Sequence, residues 1–97
     1  MKYFLIHITY TVPIEQVEAV TPDHRAYLRT QFAEGKLLFS GPRVPRTGGV
    51  LFGKAEDQSV MEAMVAADPF KTNGIANYDI IEINPTIWAE QLKPAFE

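Results

Sequence analysis

A chain of 97 residues, 46% hydrophobic and 22% charged, is typical of one folded domain and excludes an intrinsically disordered protein. Its net charge of −3 argues against a broad phosphate-binding surface, so we expect no nucleic-acid partner. The absence of cysteine excludes disulfides, a thiolate nucleophile and a cysteine-based metal site. From the length we expect a single domain over residues 1–97, and we expect it in the cytoplasm.

The N-terminal segment from Lys2 to Tyr10 is rich in aromatic and β-branched residues and nearly continuous in apolar character. This pattern predicts a central β-strand covered on both faces. The apolar part is too short and too interrupted to span a membrane, and no small-residue cleavage site follows it. We therefore expect no membrane partner.

The first helical region contains two start signals. A short run is predicted from Ile14 to Val20, and Thr21-Pro22 then offers a capping hydroxyl and a proline at a first helical position. Gly35 is typical of a helix end. The sequence thus predicts a break at Thr21 and a helix from Pro22 to Glu34.

Two further strands, Lys36–Ser40 and Gly49–Ala55, are separated by prolines and glycines that cannot hold a regular ladder. We expect a hairpin with a long, mobile, basic connection. A second helix is predicted from Gln58 to Asp68, with Asp57 as its cap and Pro69 at its end.

The last strand is predicted from Tyr78 to Asn84, and Asn84-Pro85 opens a short C-terminal helix that carries Trp88. The order of elements is β-α-β-β-α-β. It indicates an α+β domain of the ferredoxin-like type, in which two helices cover one face of a four-stranded antiparallel sheet. Apolar residues fall on both faces of the strands, so we expect a second copy to cover the open face in a homodimer.

His24 lies on the helical stripe predicted to face the sheet, because Leu28 and Phe32 follow it at helical spacing. Imidazole titrates near neutrality, so a partly buried histidine suits proton transfer. The alternative is a packed histidine whose ring is hydrogen-bonded to a nearby backbone group.

Asp68 closes the second predicted helix on its inward face, four residues after Met64. Because both helices cover the same sheet face, its carboxylate could accept the Nδ1 proton of His24, fix the tautomer and stabilise the imidazolium. The alternative is structural, since Asp68-Pro69 is typical of the cap and first position of a short helix through Thr72.

Three segments carry a resemblance to a known family. They are Thr21-Pro22-Asp23-His24-Arg25, Gly35-Lys36-Leu37-Leu38-Phe39-Ser40-Gly41-Pro42 and Ala67-Asp68-Pro69-Phe70. In order and spacing they resemble the YciI-like family, and the resemblance extends from the first strand to Ile83-Asn84-Pro85.

The resemblance implies a dimeric α+β barrel similar to muconolactone isomerase, with His24 and Asp68 as the active-site pair. A few characterised relatives are dehydrochlorinases or lactone dehalogenases that act on ring compounds. This implies acid-base elimination of the lyase or isomerase type, on a small organic substrate, without a metal or organic cofactor. The loop 43–48 and the tail 85–97 depart from the family pattern, so the substrate can differ.

Four other residues are candidate substrate contacts: Ser40, Arg43, His7 and Phe70. The Ser40 hydroxyl could donate to a substrate oxygen, and a guanidinium at Arg43 or the nearby Arg46 could bind an anionic substrate in a two-pronged geometry. Each has a structural alternative: Ser40 as a turn residue, the arginines as solvated side chains, His7 as a strand residue whose sheet face is not known, and Phe70 as an aromatic residue of the core. No base stands beside Ser40, and no ligand spacing recommends a metal site.

The sequence leaves three functions open. The leading one is a cofactor-independent enzyme in which His24 removes a proton and Asp68 orients it. The second is a small-molecule-binding or accessory domain without chemistry, and the third is a structural dimer without a ligand. An enzyme requires a cavity open beside His24, whereas a structural role requires a sealed one.

Overall fold

The computed structural model describes residues 1–97. Four strands form one sheet: β1 (Lys2–Tyr10), β2 (Leu37–Pro42), β3 (Gly48–Ala55) and β4 (Ala76–Ile83). The helices are α1 (Ile14–Ala33), α2 (Gln58–Ala66), α3 (Pro69–Thr72) and α4 (Lys93–Phe96), with a 3₁₀ turn at Glu90–Leu92. The predicted β-α-β-β-α-β order and the α+β, ferredoxin-like fold are confirmed.

The sheet has the strand order β2-β3-β1-β4, and each neighbouring pair is antiparallel. β1 is one of the two central strands, with Ile6 opposite Leu51 of β3 and Ile80 of β4. A bulge between Leu37 and Phe39 shifts the register of the edge strand β2. The strand bounds lie within two residues of those expected from the sequence.

The core lies between the helices and one face of the sheet. Phe4, Ile6 and Ile8 alternate along β1, are at most 2% exposed, and belong to a cluster that includes Val17 and Leu28 of α1. Side chains of a strand alternate between its faces, so the residues between these three point to the opposite face. We call that opposite side the open face.

The predicted break at Thr21-Pro22 is wrong, because α1 is continuous from Ile14 to Ala33 with Pro22 inside it. The Thr21 hydroxyl does not cap a helix; it donates to the Val17 carbonyl at 2.8 Å, one turn back. Pro22 removes one helical N–H, but its fixed φ is helical, and the buried stripe of α1 keeps both halves in line. The helix ends as predicted before Gly35, whose φ is +77°.

The second helical region divides differently from the prediction. Asp57 caps α2 by accepting the N–H of Ser59 at 2.9 Å, as expected. However, α2 ends at Ala66, and Asp68 caps α3 instead of closing α2. Pro69 at the first position of α3 explains the division, because a residue before proline disfavours helical dihedrals.

Residues 85–97, which we call the tail, fold back onto the open face. The Tyr3 hydroxyl donates to the Ala95 carbonyl at 2.9 Å, and its ring centroid lies 5.0 Å from that of Phe96. The prediction of a helix that includes Trp88 is wrong, because residues 84–89 have no regular structure and helical turns begin only at Glu90. The Trp88 ring instead packs on Phe96, with centroids 5.5 Å apart.

Candidate active site

A cavity lies on the helical side of the sheet, where the middle of α1 meets the ends of β1 and β2. Its volume is about 80 Å³, and it is partly open to solvent. His24 and Thr21 of α1, Ser40 of β2 and Phe70 of α3 line it. The cavity that an enzyme requires beside His24 is therefore present.

His24 and Asp68 are in direct contact. His24 Nδ1 lies 2.7 Å from Asp68 Oδ1, and the two residues are 8% and 1% exposed. With Nδ1 protonated, the imidazole donates to the carboxylate, which fixes the tautomer that leaves Nε2 free to accept a proton. The contact expected from the sequence is thus present.

The structural alternative for Asp68 holds at the same time. Its Oδ1 also accepts the N–H of Phe70 at 3.1 Å, which is the capping bond of α3. One oxygen therefore both begins α3 and contacts the His24 ring. Because the cap anchors the carboxylate to the backbone, the acceptor that faces His24 is held in place.

The His24 ring is also fixed by stacking. Its centroid lies 3.9 Å from that of Phe70, with 10° between the planes, and Phe70 is 2% exposed. Nε2 has no hydrogen-bond partner and is not a fully buried atom. Since His24 lines the cavity, Nε2 is the ring nitrogen available to a ligand. Phe70 thus lies at the cavity, as a support for the imidazole.

The arginines at the hairpin connection have different positions. Arg43 is not at the cavity: its guanidinium donates to the Ile8 carbonyl at 2.8 Å and to Thr9 Oγ1 at 3.0 Å. Arg46 lines the cavity, donates to Thr21 Oγ1 at 3.2 Å, and has a buried Nε without a partner. Arg25 of α1 also lines it and forms no ion pair. Two cations therefore border the cavity.

Ser40 and His7 complete the set of candidates from the sequence. Ser40 lines the cavity and is exposed, and its hydroxyl makes no hydrogen bond within the protein, so it is free for a ligand. His7 alternates with Ile6 and Ile8 on β1, so its side chain is on the open face, away from His24. The structure does not bring His7 to the cavity.

Two tyrosines adjoin the pair from the core side. Tyr27 donates to the Met64 carbonyl at 2.6 Å, and burial, with the charges of Asp68 and Glu34, raises its pKa. Burial raises the pKa of Tyr78 above its usual value, and the Asp68 carboxylate adds to the rise. Sequence reasoning missed Tyr78 and Arg25. Their contribution depends on strand phase and on the path of the hairpin, which no local motif specifies.

No three His, Cys, Asp or Glu side chains are grouped so that they could hold a metal ion. No helix is both long enough and apolar enough to cross a membrane.

Comparison with known proteins gives a family and a structural relative. The model of the YCII-related domain matches residues 1–84. The chain is also similar to the 5-chloro-2-hydroxyhydroquinone dehydrochlorinase TftG of Burkholderia phenoliruptrix, solved in complex with 2,5-dihydroxybenzoquinone. The two are 26% identical, with a TM-score of 0.70, over 87% of this chain and 93% of that one. No curated protein sequence matches the chain significantly.

Proposed function

The chain belongs to the YCII-related domain family, and from that premise we propose that it is a cofactor-independent lyase acting on a small organic molecule with an ionised oxygen. The observation that carries the proposal is the His24 ring, whose Nδ1 lies 2.7 Å from Asp68 Oδ1, while Nε2 has no partner within the protein and the residue lines the cavity. An oriented imidazole with one free nitrogen is the minimum for a general base.

The proposed step is an elimination. His24 Nε2 takes a proton from the substrate, the electron pair of the broken bond forms a new π bond, and the leaving group departs with its own bonding pair. Asp68 stays ionised and stabilises the imidazolium that forms. The dehydrochlorinase activity named for TftG supports this reaction class, with chloride as the leaving group.

The cavity lining supports an anionic or phenolic substrate. Arg46 and Arg25 border it, and a guanidinium binds an ionised oxygen through charge-assisted hydrogen bonds. Ser40 supplies a free hydroxyl beside them. A volume of about 80 Å³ is well below that of a pocket for a drug-sized ligand, so we propose a substrate no larger than one ring that remains partly in solvent.

Two assays test this function. The first follows chloride release from 5-chloro-2-hydroxyhydroquinone, and the second follows binding of 2,5-dihydroxybenzoquinone by calorimetry. We expect turnover that falls at least about a hundredfold in His24→Ala, the usual contribution of a positioned base. Arg46→Ala should weaken binding, whereas Arg29→Ala, which removes an exposed arginine of α1 outside the cavity, should not.

The outcomes separate the alternatives. Binding that depends on Arg46 without any turnover would favour the small-molecule-binding domain. If the protein shows no binding and no turnover in these assays, the proposed substrate class is contradicted. Turnover that survives His24→Ala would contradict the role of the imidazole.

A further inference from the structure

One oxygen of the buried carboxylate has no hydrogen bond. Asp68 is 1% exposed; its Oδ1 accepts from His24 and from Phe70, but its Oδ2 is buried without a partner. A buried carboxylate oxygen that is left unpaired costs free energy, because it has lost its water. The site therefore calls for a donor at Oδ2.

A donor without an acceptor lies in the same layer. Tyr78 projects from β4 towards the helices and packs against the core, and its hydroxyl is buried without a hydrogen-bond partner. Burial raises the pKa of this phenol most, and the charge of Asp68 raises it further. The two groups also share one part of the fold, because Asp68 caps α3, α3 packs against β4, and Tyr78 lies on the side of β4 that faces the core.

We propose that Tyr78 is a positioning residue of the site, whose hydroxyl donates to Asp68 Oδ2 and so holds the carboxylate on His24. A hydrogen bond between the Tyr78 hydroxyl and Oδ2 would satisfy both buried atoms. The hydroxyl of Tyr27, the other tyrosine whose pKa the Asp68 charge raises, is already engaged, since it donates to the Met64 carbonyl. This role rests on the proposed function, whereas the contact itself does not.

The contact has two consequences for the base. First, three donors around Asp68 leave the carboxylate no freedom to rotate, so Oδ1 stays in line with Nδ1. Second, the hydrogen bond from the phenol stabilises the negative charge of the carboxylate, so Asp68 attracts the His24 proton less strongly. The phenol keeps its own proton throughout and transfers none.

The contact can be tested without a substrate. Tyrosine ionisation is followed by ultraviolet absorbance in the native protein, which has four tyrosines. Asp68→Asn removes the charge next to the phenol, so Tyr78 should ionise at lower pH than in the wild type. His24→Ala leaves Asp68 in place and should keep the high-pH ionisation. An unchanged titration in Asp68→Asn would overturn the proposal, whether or not the protein has lyase activity.

The positioning role is tested with Tyr78→Phe. We expect kcat to fall about ten- to a hundredfold, the factor for a lost hydrogen bond to a charged group, with little change in KM. The acid limb of the pH profile should move to higher pH, because Asp68 then holds the His24 proton more firmly. The titratable groups that face Tyr78 are Asp68, Tyr10 and Tyr27.

Tyr27→Phe is the matched control. It removes a phenol hydroxyl from the same layer, and it breaks a bond to the Met64 carbonyl instead of one to Asp68. It should lower stability and leave the pH profile in place. A shift of equal size in both variants, or no shift in Tyr78→Phe, would show that Tyr78 does not act through Asp68.

Discussion

Asp68 Oδ1 performs two tasks with one atom. It caps α3 through the N–H of Phe70 and orients His24 through Nδ1. A side chain that forms a cap is fixed by local backbone geometry, so the orientation of the imidazole is maintained by the bond that begins α3. The capping role and the proposed catalytic role of Asp68 can therefore be distinguished only by a substitution that keeps the oxygen and removes the charge.

Substitutions at Asp68 test this separation. In Asp68→Asn the amide oxygen can still accept from Phe70 and from His24, so we expect the fold and the Nδ1–H tautomer to persist while the charge that stabilises the imidazolium is lost. The alternative is that the asparagine amide donates to Nδ1, which would favour the wrong His24 tautomer, with the proton on Nε2.

The measurement is urea unfolding together with chloride release. Asp68→Ala should lose about 1 kcal/mol for the cap alone, and more for the unpaired His24 N–H, whereas Asp68→Asn should be the more stable of the two. Both should lose turnover, and neither should add to the loss in His24→Ala, because the pair acts as a unit. Equal stability of the two variants would contradict the cap.

A second prediction at this scale concerns alkaline stability. Burial and Asp68 raise the pKa of Tyr78 above the value of 10.0 for a free side chain. Below pH 10 the phenol is protonated in both states, so its contribution to stability is complete; above pH 10 only the unfolded chain releases the proton. This contribution is therefore lost as pH rises, by about 1.4 kcal/mol per pH unit.

Urea unfolding at a series of alkaline pH values checks this slope. The wild type should lose stability above pH 10 faster than Tyr78→Phe, which has no phenol proton to release. The difference between the two free energies should be constant below pH 9. A constant difference up to pH 12 would mean that Tyr78 ionises equally easily in both states.

Some site residues could be predicted and others could not. The contact of His24 with Asp68 was expected from helical spacing and family resemblance, because His24 lies on α1 and Asp68 at the start of α3, on the same side of the sheet. Arg43 and Arg46 were both candidates, but the sequence could not tell that Arg46 alone of the two lines the cavity, since this depends on how the hairpin connection folds over the end of β1. Nor does the sequence specify which face of β1 carries His7.

At the scale of elements, α1 shows where local signals mislead. Thr21 and Pro22 have the residue types of a helix start, yet both lie inside one helix. These residue types can start a helix, but tertiary packing decides whether they do. Thr21 is buried at the cavity, where its hydroxyl donates to the Val17 carbonyl and accepts from Arg46. The strands and the helix end at Gly35 were predictable because the local signal and the packing agree there: the strands bury their apolar residues, and Gly35 has a φ of +77°.

The hairpin connection gives a prediction at this scale. A Cβ at Gly48 would lie 1.9 Å from the Ile8 carbonyl oxygen and 2.1 Å from Arg43 Nη2. Gly48→Ala must therefore push the connection away from β1 and displace the Arg43 guanidinium. We expect a loss of about 2 kcal/mol or more in the free energy of unfolding, together with weaker ligand binding at the cavity.

Gly41→Ala is the control for stability, because a Cβ there meets nothing within 4 Å. Gly41 itself lines the cavity, so ligand binding by Gly48→Ala is compared with the wild type. Both glycines belong to the same hairpin, so a loss specific to Gly48 isolates the close approach to Ile8 and Arg43. Urea unfolding and calorimetric binding of 2,5-dihydroxybenzoquinone measure the two effects. Equal stability of the two variants would contradict this packing.

At the scale of the whole molecule, the open face is only partly covered. The tail packs over Tyr3 and Phe52, but Phe39 and Ile81 remain 53% and 42% exposed on the same side. Apolar side chains grouped on one surface are typical of a protein interface. We propose that a second copy of the chain covers this region and forms the dimeric α+β barrel.

Light scattering after gel filtration tests the dimer. The wild type should have twice the mass of the 10.9 kDa chain, and Phe39→Asp with Ile81→Asp should yield a folded monomer. Val44→Asp, at a residue 97% exposed in the hairpin connection, should remain a dimer. A monomeric wild type at micromolar concentration would remove both the interface and the barrel.

The contact between Tyr3 and the tail also brings the start of β1 close to residues 95–96. The Tyr3 hydroxyl bonds to Ala95, whereas the cavity is lined by Ile8 and Tyr10 at the far end of the same strand, about 20 Å away. A label or a fused domain attached next to residue 1 or residue 97 would therefore start from the end of β1 that is far from the cavity. The same proximity makes the chain suitable for cyclisation through a short glycine-serine linker.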